Sequence, residues 1–316
     1  MLITDKQGLR QCLKQLLRNL PVVETGLAFD LMRGDVGLDA LMSTCIAGTG
    51  TALSLGHRAA MAAREAMGLP TDSEQAKREA SVYTREAWMR EIADQLKAQR
   101  ILVVTTLDAA VRMISEDDRY QPLPRVDRES FVPGRYGVDY ARCAQDLAER
   151  LSGLGVHELL ADSADLETLR YGILPMAEDH EVTLHLEIRG QENARECAAL
   201  LPEFTGVRAV LFPDVQALPE IADICRGRER LLVCAPDARQ IPGLIDTLGL
   251  HFLPMRSMAV QPEQMLGRWS LMRDRLRELV YPAYLALARS GVQLSEERLE
   301  EELGEFLCPA ILRQPG

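Results

Sequence analysis

The order of hydrophobic and polar positions predicts alternating strands and helices over most of the chain. From residue 100 onward, short β-branched runs alternate with segments whose apolar residues recur every three or four positions. Together with the early run VVETGLAFD, they give eight candidate strands: residues 22–30, 101–108, 120–127, 156–163, 181–188, 207–214, 230–237 and 250–257. This alternation is typical of α/β proteins with a parallel sheet, and eight βα units predict a closed (β/α)8 TIM barrel.

Two helical regions fall outside the repeating units. Residues 31–100 are too long for one connection, so we expect a helical insertion after the first strand. Residues 262–290 show a long amphipathic helical pattern that we expect Pro282 to kink, and Ser295 is placed to cap a final acidic helix. These two helices form a predicted C-terminal extension. Because no linker or repeat is visible, we expect residues 1–316 to form a single barrel domain.

Composition narrows the classes of partner. The formal net charge of the 316-residue chain is -11, so the chain has no positive excess with which to neutralise a nucleic-acid backbone. Uninterrupted apolar runs are too short to cross a bilayer, and we expect a cytoplasmic protein with no membrane partner. The 7 cysteines are odd in number and widely spaced, which favours reduced, buried thiols.

Lysine usage excludes one kind of barrel chemistry. Lysine occurs only at Lys6, Lys14, Lys77 and Lys97, and none of these residues lies in a candidate strand. Schiff-base catalysis needs a lysine that projects into the barrel mouth. The sequence therefore predicts neither an aldolase-type site nor a bridging carboxylated lysine.

Several stretches resemble a known family. VVETGLAFD, QRILVVTTLDAA, DDRYQPLPRVDR and FLPMRSMAVQPEQMLGRWSLMRDRLRELV are similar to the uronate isomerase branch of the amidohydrolase superfamily. In that family the first strand has the form [VI]-[ID]-T-H-x-H-x-D, and an aspartate from the eighth strand completes the metal site. An arginine after the third strand binds the carboxylate of the sugar acid. The resemblance implies an amidohydrolase-like barrel with its site at the carboxyl ends of the strands.

The resemblance fails at the metal ligands. Gly26 and Ala28 stand at the two histidine positions, and neither side chain has a lone pair to offer a cation. In RSMA, Met258 stands at the position of the strand-eight aspartate. A different numbering of the strands would put Asp237, in CAPDARQIPG, at that position. We therefore predict no metal and no other cofactor, with a single divalent cation such as zinc as the alternative.

Polar residues near the ends of the candidate strands are the candidate site. The resemblance matches Arg125 to the carboxylate-binding arginine and His185 to a histidine of the fifth strand. We predict catalytic roles for Asp30, His185 and Asp237, and substrate binding by Arg125, Asp127 and Arg256. Asp108 and Glu187 lie near strand ends as well. Two structural alternatives stay open: an ion pair between Arg125 and Asp127, and a hydrogen-bonded barrel role for His185.

Two hypotheses about function follow. In the first, the protein is a divergent isomerase- or amidohydrolase-like barrel without the family metal. It acts as a binding or partner protein, or as a metal-independent enzyme, on a small acidic ligand similar to a sugar acid. In the second, the protein is an active metal-dependent isomerase or hydrolase with recruited ligands such as Asp30, His185 and Asp237. We also expect a homo-oligomer or a partner subunit.

Overall fold

The computed structural model describes residues 3, 5–27, 61–62, 65, 68, 85–106, 120–131, 138–257 and 262–312. It groups them into two compact units. Unit 1 comprises Met1–Gln121 and Ser257–Cys308, and unit 2 comprises Pro122–Arg256 and Pro309–Gly316.

Unit 1 combines a small sheet with helices from both ends of its sequence. Helix α1 (Lys6–Asn19) begins at Asp5, whose side chain accepts a hydrogen bond from the Gly8 amide at 2.7 Å. Strands β1 (Val22–Leu27), β2 (Ile101–Thr106) and β3 (Tyr120–Pro122) form a sheet in that order, and β1 pairs with β2 in parallel. Helix α2 (Arg85–Ala98) leads into β2.

The C-terminal helices complete unit 1. Helix α9 (Pro262–Arg289) continues through Pro282, and helix α10 (Glu296–Leu307) follows it. Ser295 caps α10 by accepting a hydrogen bond from the Arg298 amide at 3.2 Å, which confirms the predicted cap. The predicted C-terminal helices are therefore present.

Unit 2 contains a five-stranded parallel sheet in which each strand pairs with the next along the chain. Its strands are β4 (Arg125–Val126), β5 (Glu158–Asp162), β6 (Thr183–Ile188), β7 (Arg208–Pro213) and β8 (Leu231–Val233). The intervening helices are α3 (Tyr140–Gly153), α4 (Leu166–Thr168), α5 (Leu174–Asp179), α6 (Gln191–Leu200) and α7 (Leu218–Cys225), with a π-helical turn (Leu169–Ile173) between α4 and α5. Helix α8 (Ile241–Leu248) follows β8. This regular order confirms the predicted α/β class with a parallel sheet.

Three of the eight predicted strands are wrong in extent, and one of them, residues 230–237, contains only the short strand β8 (Leu231–Val233). Residues 120–127 divide into the short strands β3 and β4, because Pro122 and Pro124 carry no N–H for a continuous ladder. Residues 250–257 contribute a single parallel bridge between Leu253 and Cys234, and Pro254 interrupts the ladder in the same way. Closure into a barrel and a single domain stay predictions, since the described strand pairings form two separate sheets.

Other predictions are tested only in part. Helix α2 matches the last helix expected within the insertion of residues 31–100, most of which lies outside the described residues. Among the helices described, none combines the length and the apolar character required to cross a membrane.

Candidate functional site: an arginine cluster at the carboxyl ends of the unit 2 strands

The two faces of the unit 2 sheet differ sharply in polarity. On one face, Leu159, Ala161, Leu184 and Leu186 are fully or almost fully buried. Side chains alternate between faces along a strand, so the neighbouring positions share the other face. The parallel register places Leu160 beside His185 and Asp162 beside Glu187, and continues to Val210 and Phe212 on β7. The polar residues of β5 and β6 therefore gather on one face, with Asp162 and Glu187 at its carboxyl edge.

Glu187 is the centre of the charged groups at this edge. One of its oxygens, Oε1, accepts a hydrogen bond from Arg256 Nη1 at 2.9 Å. The other, Oε2, lies 3.3 Å from Arg189 Nη2 and 3.9 Å from Arg125 Nη1. Arg125 Nη2 also lies 3.5 Å from Asp162 Oδ2. We call Arg125, Asp162, Glu187, Arg189 and Arg256 the arginine cluster.

The side chains of the arginine cluster differ widely in solvent exposure. The side chains of Arg189 and Arg125 are 70% and 50% exposed, whereas Asp162, Glu187 and Arg256 are 23%, 13% and 8% exposed. The ion pairs of Arg125 are long, and pairs of exposed side chains contribute little to stability. Arg125 and Arg189 are therefore the cations that a ligand from solvent meets first.

The guanidinium group of Arg256 uses only some of its hydrogen-bond donors. Its guanidinium carbon lies 4.3 Å from the centroid of the Phe212 ring, a cation–π contact that holds the group in place. While Nη1 binds Glu187, Nε and Nη2 are buried and have no hydrogen-bond partner among the residues that the structure describes. Two adjacent N–H groups of a guanidinium match the two oxygens of a carboxylate. Leaving these donors without an acceptor costs free energy.

His185 and Glu158 lie deeper on the same face. The His185 side chain is fully buried, and its Nε2 lies 2.8 Å from Glu158 Oε2. No hydrogen bond joins these two atoms, and both are buried without a hydrogen-bond partner in the described part of the chain. The ring also stacks on Phe212, with centroids 5.7 Å apart. Phe212 thus contacts both His185 and the buried arginine of the cluster.

Two predicted site residues have local structural roles. Asp127 caps the 3₁₀ helix Arg128–Ser130 and accepts a hydrogen bond from the Glu129 amide at 3.0 Å. Arg125 pairs with Asp162 and Glu187, so the alternative of an ion pair between Arg125 and Asp127 is not realised among the described residues.

Asp237 lies in the loop after β8. Its side chain accepts hydrogen bonds from the Arg239 side chain and from the Arg239 amide. The hydrogen bond from the Arg239 guanidinium is the largest influence on the carboxyl group and lowers the pKa of Asp237. Asp237 is thus an ionised, paired residue of a turn, and the structure does not bring it into the arginine cluster.

The residues at the family's metal positions are almost entirely outside the described part of the chain. This holds for Asp30, Ala28 and Met258, so the choice between Met258 and Asp237 stays open, while Gly26 lies within β1. Among the described residues, no group of three or more His, Cys, Asp and Glu side chains is arranged to hold a metal ion.

The sequence-based candidates omitted Asp162, Arg189 and Glu158, and left Glu187 without a role. The spacing along each strand could have indicated these carboxylates. Glu158 and Asp162 are four residues apart and share one face of their strand, and His185 and Glu187, two residues apart, share one face of theirs. Whether the polar residues of β5 lie beside those of β6 depended on the register between the two strands, which pairs Asp162 with Glu187. Register cannot be deduced from either strand alone.

Comparisons with known proteins support the fold. No family model matches the chain, and no curated protein matches it in sequence. Among solved structures, the chain is similar to a uronate isomerase from Bacillus halodurans C-125, with a TM-score of 0.80 and 14% identity over 96% of this chain and 95% of the other. It is also similar to a glucuronate isomerase from Caulobacter crescentus, with a TM-score of 0.59 and 11% identity over 97% and 94%. The class defined here is therefore that of uronate isomerase-like folds, at low sequence identity.

Proposed function

We propose that this chain is a divergent, amidohydrolase-like (β/α)8 barrel protein that binds a small carboxylic acid of the sugar-acid type at the arginine cluster. The fold shared with two sugar-acid isomerases supports the ligand class. The placement of the cluster at the carboxyl ends of parallel strands supports the location, because α/β proteins bind ligands at that edge.

The observation that carries this proposal is the imbalance of charge and hydrogen bonding in the cluster. Three arginines, Arg125, Arg189 and Arg256, face two carboxylates, Asp162 and Glu187. The cluster therefore has an excess of one positive charge, although the whole chain carries a net charge of -11. The two unpartnered donors of Arg256 require an acceptor. A ligand carboxylate supplies both the charge and the acceptor oxygens.

The described residues support acid–base chemistry more directly than metal chemistry. Asp162 and Glu187 are partly exposed carboxylates beside arginines, an arrangement in which a carboxylate moves a proton while an arginine stabilises the anion formed. His185 is fully buried, so it acts on a ligand only through its neighbours. We propose that the protein works without the family metal, either as a binding or partner protein or as a metal-independent enzyme.

Calorimetric titration with a panel of uronic and aldonic acids tests the ligand class. We expect Arg125→Ala to weaken binding of the best acid by about tenfold or more, because a charge-assisted hydrogen bond contributes about 1.5–3 kcal/mol. Arg226→Ala is the matched control, since Arg226 is 63% exposed and pairs with Asp223 on the surface of the same unit. Equal affinities of all three proteins, or no binding by the wild type, would contradict the proposal.

Metal content is tested separately by elemental analysis of protein purified without chelators. We expect less than stoichiometric zinc or manganese, and the same acid affinity before and after dialysis against a chelator. One tightly bound divalent ion per chain would instead support the metal-dependent isomerase or hydrolase with recruited ligands.

A further inference from the structure

Unit 1 contains a cavity at the point where α1 and α2 end. Its volume is about 470 Å³, which lies within the range of small-molecule sites. Helix α9 forms another wall through Arg273 and Arg277. Because α1 ends just before β1 and α2 ends just before β2, the cavity lies near the amino ends of these strands. It shares no residue with the arginine cluster.

The charged residues that line the cavity are mostly cations. Lys14, Arg18, Arg273 and Arg277 face two carboxylates, Glu65 and Asp274. Charges of one sign within a cavity reinforce one another, because its low-dielectric walls focus the field.

Most of these cations are not neutralised by carboxylates. Lys14 and Arg18 are exposed on α1, and neither forms an ion pair within the described part of the chain. Arg277 differs, since it pairs with Asp274 at 3.6 Å and with Glu278 at 3.1 Å. The positive charge that remains available therefore belongs to Lys14, Arg18 and Arg273.

Arg273 is a buried cation held by the backbone. Its side chain donates hydrogen bonds to the carbonyl oxygens of Leu17, Arg18 and Gln99 at 2.6–2.8 Å. Its Nε has no hydrogen-bond partner, and no carboxylate pairs with the group in the described structure. Burial, with repulsion from Arg100, lowers the pKa of Arg273 to about 10. A buried cation without a counter-charge is costly, and an anion nearby relieves that cost.

We propose that this cavity binds a multivalent oxyanion, with Lys14 and Arg18 as its exposed contacts and the field of Arg273 behind them. The unpaired cations, the buried guanidinium and the volume of the cavity together support this class of ligand. Phosphate groups and polycarboxylates both have the required chemistry.

Calorimetric titration with inorganic phosphate and, separately, with citrate tests the proposal at matched ionic strength. The wild type binds at least one of these probes, and the tighter probe identifies the anion as a phosphate or a polycarboxylate. The double variant K14Q/R18Q binds the same probe about tenfold or more weakly, because each lost charge-assisted hydrogen bond accounts for a factor of about ten.

The matched control is K6Q/R10Q, which removes one lysine and one arginine from the same helix at the same spacing but outside the cavity. It keeps the wild-type affinity. No binding of either probe by the wild type overturns the proposal. Equal weakening by the two double variants also overturns it, because the effect would then reflect net charge alone.

Discussion

At the scale of single residues, close packing in unit 2 depends on one glycine, which has no side chain to collide with its neighbour. Gly172 lies in the π-helical turn Leu169–Ile173, and a Cβ at this position would lie 2.4 Å from Cε1 of Phe131. Phe131 is almost completely buried, so its ring has little room to move away. The sequence shows a glycine here but not its neighbour, which is 41 positions away in the chain.

We therefore expect Gly172→Ala to lower the free energy of unfolding by about 1–3 kcal/mol through overpacking. Gly243→Ala is the control, because Gly243 lies in the helix α8 and a Cβ there meets no atom within 4 Å. That change should raise the free energy of unfolding by about 0.5–1 kcal/mol, since alanine is the better helix former. Urea denaturation measures both values. A neutral Gly172→Ala would show that the Phe131 ring repacks freely.

At the scale of secondary-structure elements, Asp214 joins two connections of the unit 2 sheet. Its carboxylate accepts hydrogen bonds from the Ala217 and Gln216 amides before α7, and from the Gly190 amide before α6. Burial is the largest single influence and would raise its pKa. The three amides, with Arg189, outweigh burial, and the pKa of Asp214 is lowered.

This arrangement predicts a pH-dependent effect of Asp214→Asn. A carboxyl group whose pKa is lowered by folding stabilises the folded state above its ordinary pKa, and that contribution disappears as the pH falls through the lowered value. We expect the variant to lose about 1–2 kcal/mol at pH 7, with the difference from wild type shrinking below about pH 4. Denaturation curves over this pH range test the prediction. Asp246→Asn, which removes an exposed carboxylate from α8, controls for the change in net charge.

Sequence reasoning succeeded for elements whose pattern is local. Strands β5, β6 and β7 lie within their predicted ranges, because each contains a short run of buried, mostly apolar residues. It failed where a proline removes a ladder hydrogen bond, at residues 120–127 and 250–257. For the site, Arg125, His185 and Arg256 lie on or near the polar face, whereas Asp127 and Asp237 do not join the cluster. The ion-pair and hydrogen-bond partners of these residues depend on strand register and on loop conformation, and local sequence patterns encode neither.

At the scale of the whole molecule, several cysteine thiols are inaccessible to solvent and have raised pKa values. Cys197 and Cys225 are fully buried, and burial raises the pKa of each to about 12. Cys143 is only partly buried. Alkylation requires the thiolate, so the two buried residues react only when their unit opens.

We expect iodoacetamide at about pH 8 to modify Cys143 in the native protein while Cys197 and Cys225 stay unmodified, since almost none of either thiol is ionised there. Peptide mass spectrometry after timed labelling measures this, and full labelling in urea is the control. Native labelling of Cys197 as fast as Cys143 would show that unit 2 opens frequently.

The backbone hydrogen bonds of Arg273 determine which amino-acid substitutions around it preserve its contacts. Carbonyl oxygens are common to all amino acids, so substitutions at Leu17, Arg18 or Gln99 leave the acceptors of this arginine in place. Replacing the arginine itself removes the donors of all three bonds at once. Natural variants should therefore retain the arginine whichever side chains accompany these three carbonyl groups, and pairwise covariation would not reveal how it holds the ends of α1 and α2 together.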